Sequence, residues 1–212
     1  LSNSPSAAAT FMVRTQPMKV AAAEGLFESE DPAGLSLFTL GSLDEREEIF
    51  SIRIPYLLSL LSYNRLDGEV KGFLDLQKEY EETYGAGADY IPPVAINYWS
   101  FRAMVGAGML MLALAAYAFY LNRAGKLEGA QRFLRWMPLA ILLPYIANTA
   151  GWILTEVGRQ PWIVFGLQRV EEAVSPNVTA GMLLFSLIAF TVIYGALMAV
   201  DVFLLRYFAM RP

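Results

Sequence analysis

Three ionisable side chains stand in or beside runs of this chain that are long and apolar enough to cross a bilayer: Arg102, Glu156 and Asp201. A charge held in lipid is costly, so each is a candidate for function. Arg102 falls in the first turn of its run. It can serve a site there or snorkel to the interface on its apolar stem. Glu156 lies in Gly151-Trp152-Ile153-Leu154-Thr155-Glu156-Val157-Gly158-Arg159-Gln160-Pro161-Trp162. Trp152, Glu156 and Arg159 are four and three residues apart, which places them on one helix face. The carboxylate is therefore either a functional intramembrane acid or half of a Glu156–Arg159 pair that satisfies itself at the boundary. Asp201, shortly before Arg206, fits a structural role near the headgroups.

Other residues offer chemistry of a different kind. Met104-Val105-Gly106-Ala107-Gly108-Met109-Leu110-Met111 places methionines along one apolar helix. Methionine is an adaptable packing residue, and it is also an axial haem ligand. Gly106 and Gly108 remove bulk, which admits either a flat macrocycle or a neighbouring helix. In the polar half, Lys19 and Glu24 put a base and an acid five residues apart, roughly 140° around a helix, so they form no direct helical pair. On spacing alone they read as a solvated surface. Asn177-Val178-Thr179 has the glycosylation pattern but abuts an apolar run. There is no cysteine and no histidine. That excludes disulfides, thiolate metal sites, and zinc or Ser-His-Asp hydrolase chemistry.

The elements that must position these residues follow from composition. Of the 212 residues, 56% are hydrophobic and only 17% charged, with mean hydropathy +0.40, which excludes disorder. Residues 1–97 carry 15 acidic and 7 basic side chains, whereas 98–212 carry 5 and 9. An acidic polar half joined to a weakly basic apolar half predicts a water-exposed segment plus a membrane domain. No basic stripe points to nucleic acid. Spans are expected at 98–121, 136–157 and 179–207. The loop 122–135 holds Arg123, Lys126, Arg132 and Arg135 against Glu128, so it and the tail 208–212 are expected in the cytoplasm. Residues 1–97 and the loop 158–178 then lie outside. Within 1–97, Pro17 reads as a helix start, and Ser42 with Glu45 as a capping box opening another helix. Leu66, Val70, Phe73, Leu76, Tyr80 and Tyr84 predict an amphipathic helix of about five turns. The chain opens at Leu1 without a charged n-region and short apolar stretch, so no signal peptide is expected, and a piece of a longer protein is.

Three motifs, in order, carry a resemblance. Gln16-Pro17-Met18-Lys19-x4-Glu24, then Trp99-Ser100-Phe101-Arg102-Ala103-Met104, then Gly151-Trp152-x3-Glu156-x-Gly158-Arg159-Gln160-Pro161-Trp162 together resemble the cytochrome bd quinol oxidase subunit I family. The resemblance covers nearly the whole chain: the latter part of the quinol-binding loop and the last three helices. It implies an all-α, polytopic membrane helix bundle with an extracytoplasmic loop domain, in a bacterial or archaeal cytoplasmic membrane. It also implies O2 reduction to water with electrons from quinol, through a low-spin haem b, a high-spin haem b and haem d.

The resemblance further implies roles for single residues. Lys19 and Glu24 match positions linked to quinol oxidation. Met104 matches the axial ligand of the low-spin haem iron, and Arg102 an arginine beside that haem. Glu156 matches a glutamate at the high-spin haems, as an axial ligand of one. Trp152 matches a tryptophan between haems, and Arg159 an arginine that meets haem propionates. Arg102 and Met104 are about 200° apart on a helix, so both serve one haem only if Arg102 reaches its edge. The family's histidine ligands and about six of its nine helices have no counterpart in this chain. The expected partners are therefore the N-terminal part of subunit I, oxidase subunit II and the lipid bilayer. The activity belongs to the full complex and not to these 212 residues alone. Two other readings stay open: a transporter bundle fragment with Arg102 and Glu156 in a substrate or ion site, and a non-catalytic subunit packed against an oxidase.

Overall fold

The computed structural model describes residues 5–42 and 47–210, in two units, residues 1–172 and 173–212. The first unit opens with helices α1 (Pro5–Thr15) and α2 (Pro17–Glu24). Pro17 starts α2, where its missing N–H costs nothing. Gly25 ends it in the left-handed conformation (φ 58°), with its N–H and that of Leu26 returning to Ala22 and Ala21.

An antiparallel hairpin follows, β1 (Leu35–Ser42) and β2 (Glu47–Ile54), with two register shifts. This corrects the capping-box expectation. Ser42 ends a strand and does not cap a helix, and residues 43–46, with Glu45, lie outside the described residues. Phe50, Ile52 and Ile54 alternate, which is the strand period. Helix α3 (Leu57–Tyr63) follows.

Helix α4 (Phe73–Tyr84) is shorter than the five turns expected. Its N-terminal part is replaced by extended chain, where Val70 and Glu30 exchange backbone hydrogen bonds. Gly72 is the cause. A Cβ there would fall 2.4 Å from the backbone of Glu28, so only glycine allows the approach. Only part of the predicted face is buried. Phe73, Leu76 and Tyr80 join Met18, Ala21, Ala22, Phe27, Tyr90, Val94 and Trp162 in one core, whereas Leu66 and Tyr84 are exposed. A second, smaller core joins Leu26, Ala33, Leu58 and Val70.

Helix α5 (Val94–Arg123) contains the first span and begins four residues before its expected start. The second span is a composite: α6 (Gln131–Trp136), a 3-10 turn (Met137–Ile141) and α7 (Leu142–Val157). Pro138 lies in that turn, where its ring and missing N–H oppose a continuous α-helix. Helices α5 and α7 pack together. A short hairpin, β3 (Trp162–Val164) and β4 (Gln168–Arg169), continues from α7. The second unit holds one 30-residue helix, α8 (Ala180–Ala209), capped by the Thr179 hydroxyl, which accepts from the Met182 N–H. Three helical stretches, Val94–Arg123, Gln131–Val157 and Ala180–Ala209, are long and apolar enough to cross a membrane.

Candidate active site

Helix α2 lies between the N-terminal part of α5 and the C-terminal end of α7, and its two charges face different neighbours. Lys19 is 6% exposed, and its Nζ donates to the Thr155 carbonyl at 3.2 Å. Burial holds this ammonium below the ordinary lysine range. The Arg159 charge adds to that, and Glu156 opposes it. Gly158 makes the approach possible, because a Cβ there would lie 2.9 Å from Lys19 Cγ and 3.0 Å from Asn97 Oδ1.

Glu24 is 3% exposed and accepts the Ser36 N–H at 3.0 Å. Arg102 Nη2 stands 3.5 Å from its carboxylate. Burial pushes the Glu24 carboxyl above the usual glutamate range, against the downward pull of Arg102, the Ser36 N–H and Arg53. Arg102 also donates to the carbonyls of Ala23, of Ser36 at 2.7 Å and of Tyr98 at 3.4 Å. The burial of both Lys19 and Glu24 corrects the solvated-surface reading. Among the described residues no ion pair joins the two, as their helical spacing predicts.

Beside Lys19 is a cavity of about 100 Å³ lined by Gln16, Tyr90, Arg159, Gln160 and Trp162, among others. Trp162 stacks on Tyr90 with ring centres 5.7 Å apart, and its buried indole N–H has no partner among the described residues. The lining thus offers an ammonium, a guanidinium and two carboxamides around a flat aromatic wall. That chemistry suits an oxygen-bearing ring or a carboxylate.

The remaining sequence candidates sit on the spans. Glu156 and Arg159 form an ion pair one turn apart at the end of α7. Trp152 is 66% exposed. Arg102 and Met104 diverge, as their spacing requires. Arg102 reaches into the polar half, and Met104 meets Gly151 of α7, where a Cβ would lie 3.0 Å from its Sδ. Among the described residues nothing lies within 4 Å of where a Cβ would stand at Gly106 or Gly108, and the close contact between α5 and α7 is at Gly151. Sequence reasoning missed Ser36, which supplies the Glu24 donor, and Tyr98, and gave Trp162 only as the end of the third motif. The Gln160-Pro161-Trp162 end of the third motif was the one available signal for the cavity.

A profile of the cytochrome bd terminal oxidase subunit I family matches residues 4–212. The chain belongs to that family. It is 51% identical over 197 residues to cytochrome bd ubiquinol oxidase subunit 1 of Bacillus subtilis, covering 92% of this chain and 42% of that protein. It is 31% identical to the putative cytochrome bd menaquinol oxidase subunit I of Bacillus subtilis, covering 94% and 42%. The solved structure of bd oxidase from Geobacillus thermodenitrificans is similar with a TM-score of 0.74 at 30% identity, covering 98% of this chain and 45% of that one. The chain thus spans less than half the length of these cytochrome bd relatives.

Cytochrome bd subunits are haem proteins, and the residues here fit haem as single donors to its iron. Met104 supplies a half-buried thioether. Gly108, one turn along on the same face, leaves side-chain-sized room beside it. Glu156 supplies one carboxylate, charge-matched by Arg159. Among the described residues no group of three or more His, Cys, Asp or Glu could hold a metal ion, so Met104 and Glu156 stand as single donors.

Proposed function

We propose that this chain is the C-terminal part of a respiratory terminal oxidase subunit. The full complex oxidises quinol on the extracytoplasmic side and passes electrons through haems to reduce O2 to water. The observation that carries this reading is the burial of Lys19 and Glu24 on one short helix, against the ends of two membrane-spanning helices that bear Arg102, Met104, Glu156 and Arg159.

Quinol oxidation releases two protons and two electrons. Glu24 does not line the cavity beside Lys19; made more basic by burial, it is the general base that receives one quinol proton, and the second proton leaves to the outer aqueous side. Lys19, held by Thr155, points a positive charge at the oxygen that becomes a carbonyl. Gln16, Gln160 and Trp162 orient the ring beside it. Met104 would hold the iron of a low-spin haem b through its thioether, a ligand that favours the reduced iron. Glu156 would meet a high-spin haem, with Arg159 and Trp152 against its carboxylates and ring. Haem supplies one-electron transfer and O2 reduction when bound, and haem d is the proposed O2-reducing group. The N-terminal part of the subunit supplies the ligands this chain lacks, and subunit II completes the complex. Residues 1–97 and 158–178 face outward, with 122–135 and 208–212 in the cytoplasm, a multi-pass arrangement in a prokaryotic cytoplasmic membrane.

The transporter alternative is not favoured. Arg102 and Glu156 both have protein partners, and the family is an oxidase family. In the full-length complex, Lys19→Ala and Glu24→Ala should each lower quinol oxidation by about 10²-fold or more, the usual contribution of a positioned acid–base group, with haem retained. Unaltered quinol kinetics would reject the site.

A further inference from the structure

Tyr98 lies in the first turns of α5 and is 4% exposed. Its ring carries the Arg102 guanidinium on one face, 3.5 Å from the centroid. The ring also fills the space that a side chain at Gly25 would need, since a Cβ there would fall 3.1 Å from Cδ2. The hydroxyl accepts the Thr39 N–H at 2.5 Å and shares a hydrogen bond with Ser36 Oγ at 3.2 Å. Ser36 in turn gives its N–H to Glu24 and accepts Arg102 through its carbonyl. One side chain therefore supports the cation that faces Glu24 and pins the strand that supplies the Glu24 donor.

We propose that Tyr98 is a positioning residue for quinol oxidation, holding the Glu24 carboxylate in its setting of Arg102 and Ser36 through both its ring and its hydroxyl. This rests on the reading of Glu24 as the quinol base. The charges that face Glu24 are Arg102 from α5 and Arg53 from β2, and Arg53 is itself paired with Glu30 and Glu48. Tyr98 touches the first directly and the second only through the hairpin. Removing the Tyr98 hydroxyl leaves the Thr39 N–H without that acceptor and Ser36 Oγ with only the Thr39 hydroxyl, at 2.7 Å, so the strand that carries the Glu24 donor is held less firmly. A carboxylate with fewer donors to its charged form binds its proton more tightly. The acid limb of the pH profile then moves to higher pH. A side chain that served packing alone would lower thermal stability and leave that limb in place.

The test uses the full-length subunit assembled with its partner subunit, with haem content checked by its visible spectrum. The kcat/KM for a short-chain ubiquinol is measured against pH for the parent, Tyr98→Phe, Tyr98→Leu and Glu24→Gln. Tyr98→Phe should shift the acid limb upward by roughly 0.5 pH unit, and Tyr98→Leu, which also removes the support under Arg102, by about 1 unit or more. Acid limbs that coincide with the parent's in the Tyr98 variants, while Glu24→Gln abolishes the limb, would overturn this inference alone. A Glu24→Gln profile identical to the parent's would overturn the quinol-site reading and this inference with it. If Tyr98→Leu fails to assemble, Tyr98→Phe decides, because it keeps the ring.

Discussion

At Glu24 and Lys19, burial moves two charges toward neutrality from opposite sides, and the pH dependence of quinol oxidation should show it. A base must be ionised to act, so activity falls as pH drops through the raised Glu24 value. An orienting ammonium must be protonated, so activity also falls as pH rises through the lowered Lys19 value. Both limbs of the kcat/KM profile should therefore sit inside the range set by ordinary glutamate and lysine, and Lys19→Arg should move the alkaline limb outward. Met104→Leu belongs to the same scale. It should lower the low-spin haem potential or remove its signal, and a redox titration with unchanged potential would sink the ligand assignment. Most of these residues are legible in the sequence because rare residue types stand in unusual places, such as Arg102 and Glu156 against lipid. Their partners were not legible. Ser36 gives Glu24 only a backbone N–H, which any residue could supply, and the Arg102 acceptors are largely main-chain carbonyls.

Between elements, glycine decides how close the backbones come. Gly158 lets the end of α7 meet Lys19 and Asn97. Gly158→Ala should displace the lysine and cut quinol oxidation while leaving haem spectra intact, which steady-state kinetics beside a visible spectrum would check. Gly72→Ala places a methyl against the Glu28 backbone. It should destabilise the loop by about 1–3 kcal/mol, the usual cost of overpacking, seen as faster proteolysis of residues 1–97 in the assembled complex. The long spans are the most legible elements, since their apolar runs admit few other structures. The breaks in them are subtler. Pro138 converts part of the second span to a 3-10 turn, and Gly72 shortens the amphipathic helix to Phe73–Tyr84. The hairpin 35–54 was missed because Ser42 and Glu45 mimic a helix cap. The alternation of Phe50, Ile52 and Ile54 is the competing signal, and strand pairing prevails over the cap pattern.

For the molecule as a whole, the contrast between an acidic polar half and basic short connections predicts orientation. These 212 residues hold no cysteine, so single cysteines introduced in them report it directly once any cysteines elsewhere in the complex are replaced. Lys126→Cys should react with an impermeant thiol reagent only from the cytoplasmic side, and Glu171→Cys only from the outside. The reverse pattern would invert the topology and place the quinol site on the wrong side. The central claim is that electrons enter through Lys19 and Glu24. It is tested most directly by the rate of haem reduction in the anaerobic full-length complex carrying Lys19→Ala, with quinol compared against dithionite. The account predicts full reduction by dithionite with normal spectra, and reduction by quinol slowed by about 10²-fold. Reduction by quinol at the parent rate, with the same haem content, would contradict it.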